Sequence, residues 1–341
     1  MREGPGTPSW QEGPSPVLTG SKARFPKGIR VGNAHDEAAG TGCTAVICDK
    51  GGACGVAVQG GAPATRETCL LRPENMVQTV HAVVLSGGSA FGLDACSGVM
   101  RYLEEREVGF LLAGSFVPIV TGASLFDLSF GNAAVRPNAQ MGYRACEQAA
   151  ASVVTGNVGA GCGATVGKLL GAEHAMKGGL GAASIDLGGL IISAVVAVNA
   201  VGSVRDRRTG VFLAGTLDPT RSTPTVMDPY AAMALLPLAT GGQPTENTTI
   251  GCIVTNASLS KAQATRVALM AHDAYARVIE PVHTSNDGDA VFALCTGEVA
   301  AGQDAVGIYA AVAMEMAIYD AVTSARGSHS VLSAHDLLLD D

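Results

Sequence analysis

Asn247-Thr248-Thr249 stands between a loop of glycine, proline and polar residues that starts at Gly241 and the apolar run Ile250 to Val254. The junction sets a hydroxyl at the mouth of a buried strand, and three readings fit it. Asn and Thr commonly precede strands in a turn. The tripeptide is also an N-glycosylation acceptor, but residues 1–27 lack the apolar centre of a secretory signal that such chemistry requires. The third reading is a bond that the chain cuts itself, exposing the Thr248 hydroxyl as a nucleophile.

Further along, "HTSNDGDAVFALCTG" (283–297) places Asp287 and Asp289 around Gly288 just before another apolar run. A calcium loop does not fit, because Cys295 takes the ninth place and the intervening residues form a continuously apolar strand pattern. An Asp-Gly turn accounts for the pair structurally; two carboxylates orienting an amine or hydroxyl account for it chemically. Asn199 interrupts the apolar run "VVAVNAVGSV". Leaving a buried amide unpaired costs about 1–3 kcal/mol, so it is read either as a structural hydrogen-bonding group or as a donor to an oxyanion.

The glycine-rich run "GNVGAGCGATVGK" (156–168) suggests a phosphate loop, but Cys162 and Leu169 occupy the places where glycine and a hydroxyl are needed. Gly159-x-Gly161-x-x-Ala164 permits a dinucleotide fingerprint only weakly, with no evident strand before it. The alternative is a tight loop that brings backbone amides, Gly161 among them, and Lys168 to a reacting centre.

These groups need a scaffold. Apolar residues make up 47% of the 341 and charged residues 15%, enough for an extensive core. Length alone does not force two domains, and one large α/β unit, residues 28–341, is expected behind a loose arm at 1–27. A net charge of −8 with eight Phe, six Tyr and one Trp speaks against a nucleic-acid partner. Apolar stretches such as Leu190 to Val198 are too short to span a membrane. Nine scattered cysteines without a Cys-x-x-Cys pair suit buried thiols in a reducing cytoplasm rather than zinc ligands.

Strands are expected at 43–48, 55–61, 81–88, 188–204, 249–256 and 290–297, and helices near 90–106, 228–239, 260–279 and 304–325. Ser260 and Gln263 form a capping-box pattern at the start of the third helix. The segment 239–248 reads as an exposed break that runs directly into a core strand.

Six segments together, "GGAPATRET" (60–68), "VVLSGGSAFGLDACSGVMRYLEE" (83–105), "VPIVTGASLFDL" (117–128), "GAGCGATVGK" (159–168), "NTTIGCIVTNASLSK" (247–261) and "IEPVHTSNDGDAVFALCTG" (279–297), resemble the L-aminopeptidase/D-esterase family. That family includes β-peptidyl aminopeptidases and nylon-oligomer hydrolases. The resemblance implies a layered α/β/β/α sandwich and self-cleavage between Asn247 and Thr248, with residues 1–247 and 248–341 staying associated. It implies catalysis by Thr248 with Asn199 as oxyanion donor, Lys168 beside the nucleophile, and Asp287 and Asp289 orienting an amine. Phe126, where some relatives carry tyrosine, and Gly161 are expected to contact substrate.

The implied activity is hydrolysis of short peptides or ω-amino-acid oligomers, in a homo-tetramer, with neither metal nor organic cofactor. A glutamate N-acetyltransferase-type acyltransferase is the alternative enzyme, and a glycine-rich nucleotide-binding protein the alternative of another class.

Overall fold

Glycine-bounded apolar runs assemble into a continuous ten-stranded sheet that folds over on itself. The computed structural model describes residues 17–19, 23–236 and 247–337. The chain forms β1 (Val17–Thr19), β2 (Ile29–Asp36), β3 (Thr41–Val58), β4 (Ala64–Arg66) and β5 (Val80–Ser86), followed by α1 (Ala95–Glu104). The hairpin of β6 (Phe110–Leu112) and β7 (Ser115–Val117) precedes β8 (Val120–Ser124) and α2 (Ala139–Glu147). Next come the short pair β9 (Thr165–Val166) and β10 (Met176–Lys177), the hairpin β11 (Gly179–Asp186) and β12 (Ile191–Asn199), small strands β13 (Ser203–Arg205) and β14 (Phe212–Ala214), and α3 (Pro229–Ala234). After them lie β15 (Thr248–Ala257), α4 (Lys261–Ala271), α5 (Asp273–Val278), β16 (Ile279–Glu280), β17 (Ala290–Val299), α6 (Gln303–Ser324) and α7 (Ala334–Leu337).

Strand β3 joins two layers. Its first part lies between β2 and β5, and its last part pairs with β17. Gly51 lies between the two parts with φ of 69°, a left-handed conformation that glycine adopts without a Cβ penalty. One layer runs β1-β11-β12-β15-β17-β3, and the other contains β2, β3, β5, β8 and β4.

Alternation along the strands divides the core into three. Val195 and Ala197 of β12 meet Val83 and Leu85 of β5 between the layers. Val196 and Val198 face outward onto Val267, Tyr275 and Met314 of the α4–α6 side. Ala82 and Val84 face the opposite way, onto Val99, Leu103 and Ala145 of α1 and α2. The order is therefore α/β/β/α, as the resemblance implied.

The expected strands at 43–48 and 55–61 prove to be parts of one, β3. The expected helix 260–279 keeps its capping box but divides into α4 and α5 around His272. Val17–Thr19, expected within a loose arm, pairs with β11, and Ala23 is buried. Residues 239–246 of the expected exposed break at 239–248 lie outside the described residues, which stop at 236 and resume at Asn247. Helix α6 is long and apolar enough to cross a bilayer, which the sequence reading overlooked; here Val306, Ala310, Met314, Ala317 and Ala321 bury it in the core.

Its close fit depends on Gly181 of β11, where a Cβ would lie 1.9 Å from the Ala317 carbonyl oxygen and 2.5 Å from the Ala321 nitrogen. Gly181→Ala is expected to destabilise the fold by about 1–3 kcal/mol through overpacking. Urea unfolding measures this, and an unchanged midpoint would refute the packing argument.

Candidate active site

β15 is antiparallel to β12 and parallel to β17, so the start of β15 meets the end of β12 and the start of β17. Thr248 consequently pairs with Asn199, while Asn247 bridges Asp287. Thr248, Asn199, Lys168, Asp287 and Asp289 are all buried.

Two groups converge on the Asn247 carbonyl. The Thr248 hydroxyl makes a short contact to its oxygen, and the Gly288 N–H donates to the same oxygen at 3.0 Å. A Cβ on Gly288 would lie 2.6 Å from Thr248 Oγ1. Glycine is therefore required for the Asp287–Asp289 turn to come this close.

Lys168 reaches this end of the sheet because Gly167, with φ of 75°, packs where a Cβ would lie 1.9 Å from the Gly215 carbonyl carbon. The Lys168 ammonium donates to Asn199 Oδ1 at 2.9 Å and to the Asn199 carbonyl at 3.2 Å. Burial pushes its pKa down to about 7; Asp287 opposes that shift and Lys177 adds to it. Burial and the neighbouring Asp289 push the Asp287 carboxyl up, while hydrogen bonding to Thr284 and the charge of Lys168 pull it down. The Thr284 N–H donates to Asp287 at 2.6 Å, and the Thr249 N–H donates to Asp289 at 2.7 Å.

Asn199 is engaged on both sides of its amide. Nδ2 donates to the Phe126 carbonyl at 2.8 Å, and Oδ1 accepts from Lys168 and from the Thr165 N–H. This is the structural hydrogen bonding left open by its sequence context. Phe126 joins the cluster through its backbone carbonyl, with its side chain half-buried. Gly161 has a packing role: it lies in the 3-10 turn Gly159–Gly161, and a Cβ there would approach the Leu180 nitrogen to 2.0 Å.

The glycine-rich run leads into strand β9 rather than the helix a phosphate loop needs. Among the described residues, no three His, Cys, Asp or Glu side chains are grouped to hold a metal ion. All nine cysteines are free, and only Cys69 is exposed. A separate cavity of about 390 Å³, lined by Val211, Phe212, Thr223, Thr225, Val226 and Leu337, shares no residue with the cluster.

Residues 27–333 match the sequence pattern of peptidase family S58. The chain belongs to this family. An uncharacterized aminopeptidase of Mycobacterium leprae (strain TN) is 46% identical over 294 residues, covering 80% of this chain and 78% of the relative. A 6-aminohexanoate-oligomer endohydrolase of Kocuria sp. (strain KY2) is 35% identical over 284 residues, covering 81% and 74%. The solved L-aminopeptidase D-Ala-esterase/amidase of Ochrobactrum anthropi, a variant of the Ntn hydrolase fold, superimposes with a TM-score of 0.67 at 18% identity, covering 94% of each chain. The S58 chain is thus a hydrolase of amide or peptide bonds on an Ntn-hydrolase-like fold.

Sequence reasoning missed His283, whose ring nitrogen Nδ1 lies 2.8 Å from Asp289 Oδ2. Its presence in the same short segment as the two aspartates was the available signal.

The depressed lysine supplies a test by pH. In the unfolded chain Lys168 titrates near its ordinary 10.5, and in the fold near 7. Between these values the unfolded state binds more protons, so this group makes stability rise with pH. In a Thr248→Ala background, the lysine form should gain on Lys168→Met between pH 7 and 9, by at most about 1.4 kcal/mol per pH unit. Urea unfolding at both pH values checks the sign; a pH-independent difference would contradict the burial argument.

Proposed function

We propose that this S58 peptidase is an autoprocessing amide hydrolase whose nucleophile is Thr248. The observation that carries the reading is the Asn247 carbonyl, approached by the Thr248 hydroxyl and held by the Gly288 N–H. Attack of Oγ1 on the carbonyl carbon forms an ester as the Asn247-Thr248 C–N bond breaks. The hydroxyl proton passes to a neighbouring base and a proton reaches the departing nitrogen. Lys168 in its neutral form and the Asp287 carboxylate are the candidate bases, both having shifted toward the middle of the pH scale. Water then hydrolyses the ester, leaving a carboxylate on Asn247 and a free amine on Thr248.

That amine has a reference pKa of about 7.7–8.0, and it serves as the base for the hydroxyl on its own residue. In turnover Oγ1 attacks a substrate amide, the amine relays the proton to the departing amine, and water resolves the acyl-enzyme. Positive charge on Lys168 favours the neutral form of the Thr248 amine. Asp287 and Asp289 orient that amine or receive the substrate ammonium. Asn199 Nδ2 has two N–H groups, one of which donates to the Phe126 carbonyl, so it is the second that would donate to an oxyanion while Oδ1 holds Lys168.

Membership of a peptidase family favours water over an amine as the acyl acceptor. The higher identity to the aminopeptidase than to the endohydrolase favours release of N-terminal residues from short peptides, with 6-aminohexanoate oligomers as a second substrate class. Buried reduced thiols support a cytoplasmic setting, and the cleaved pair is proposed to assemble as a homo-tetramer.

Intact-mass measurement of purified protein tests the reading. Two fragments, 1–247 and 248–341, are expected from the wild type and a single whole chain from Thr248→Ala. Thr248→Ser should still be cut. Hydrolysis of L-alanine p-nitroanilide should fall by about 10⁴-fold or more in Thr248→Ala. A whole wild-type chain with full activity would sink the proposal.

A further inference from the structure

Asp289 is buried, and both its carboxylate oxygens are engaged. Oδ1 accepts the Thr249 N–H at 2.7 Å. Oδ2 accepts the backbone N–H of His283 at 3.2 Å and faces its ring Nδ1 at 2.8 Å. Oδ2 is already the acceptor of the His283 backbone N–H, and the Nδ1–H tautomer of the ring makes the second contact a donation to the same oxygen.

His283 is itself tightly placed. Its φ is 56°, a region that residues other than glycine seldom enter unless their surroundings impose it. Its ring stands edge-on to that of His272, with centroids 5.0 Å apart, and lies 6.0 Å from that of Tyr275. Both neighbours are buried. The end of α4 and the start of α5 thus form a wall behind the imidazole as it turns toward Asp289.

Asp289 touches both halves of the site at once. Through Thr249 it fixes the residue next to the nucleophile, and through the backbone it fixes Gly288, whose N–H holds the Asn247 carbonyl. We propose that His283 is a positioning residue: by donating twice to Asp289 it sets the approach of Thr248 to the carbonyl it attacks. The inference rests on the reading of Thr248 as nucleophile and goes beyond it. Among the described residues the His283 hydrogen bonds go to Asp289, and it is through Asp289 that His283 acts.

Three full-length variants separate this role from simple packing. His283→Phe keeps a ring against His272 and Tyr275 but has no donor. His283→Gly relieves the backbone and also has no side-chain donor. His283→Asn supplies an amide N–H near the place of Nδ1 and tolerates the left-handed backbone.

The rate at which whole chain becomes fragments, followed by intact mass, is the first readout; kcat and KM of the matured fraction on L-alanine p-nitroanilide are the second. Misplacement by about 1 Å can cost about 10²-fold in rate. The Phe and Gly variants are therefore expected to mature and turn over about 10- to 100-fold more slowly, with KM little changed, and Asn is expected to restore most of the rate.

If the Phe variant does not fold, the comparison of Gly with Asn decides. Gly maturing as fast as wild type, or Asn as slowly as Gly, overturns the inference while leaving Thr248 in place. A wild-type chain that stays whole, or cutting that persists in Thr248→Ala, overturns the nucleophile reading and this inference with it.

Discussion

The parallel pairing of β15 with β17, between antiparallel partners on either side, is the constraint from which the site follows. Parallel neighbours begin at the same end of a sheet, so the residues just before each strand lie side by side. Asn247 is thereby set against Asp287, and Gly288 can reach the Asn247 carbonyl. The antiparallel neighbour β12 ends at that same edge and delivers Asn199 beside Thr248. Were β15 and β17 antiparallel, the start of one would face the end of the other, and the aspartates would be a strand length from the hydroxyl.

Bringing ionisable groups to this edge has a cost, visible in the groups themselves. Lys168 and Lys177 are both buried, and burial lowers both, to about 7 and about 8. Lys177 is held by the Cys162 and Ala164 carbonyls and lies 4.3 Å from the centre of the Phe130 ring. Asp127, raised by burial, accepts from Thr41 and Gly88. Each buried charge is matched by specific donors or acceptors, as low-dielectric surroundings require. The consequence for chemistry is a lysine able to change protonation near neutral pH, which an exposed lysine cannot do.

Much of this was legible in the sequence, for identifiable reasons. Thr248, Asn199 and the Asp287/Asp289 pair stood out because each is a polar break at the edge of an apolar run, and strand ends are where such breaks collect. The capping box of α4 was visible because its two partners are three residues apart. By contrast β11, "GLGAASID", escaped because glycine and alanine carry little strand signal; burial against α6, not propensity, makes it a strand. Helix α2 was missed although Asn138 caps it by accepting the Met141 N–H. Asn199 illustrates the limit of residue type alone. Its amide was recognisable as needing partners, but that they are Phe126, Thr165 and Lys168 depends on segments brought together only by the fold.

The turn carrying Asp287, Gly288 and Asp289 is irregular backbone, yet it must hold its N–H to an ångström-scale tolerance. Irregular segments can do this when rigid elements grip them from several sides. From the β3 side, Ala62 donates its N–H to the Asp287 carbonyl at 2.8 Å, and Gln59 donates to the Asp289 carbonyl at 3.0 Å. Gly60 and Gly61 let that segment lie flat on the turn; a Cβ at Gly60 would come within 2.3 Å of the Asp287 oxygen and one at Gly61 within 2.5 Å of the Ser285 oxygen. On the helix side the grip is His283, backed by His272 and Tyr275. The glycines at 60, 61 and 288 thus serve one end: each omits a side chain where backbone must touch backbone, so that a single hydroxyl can sit against a single carbonyl.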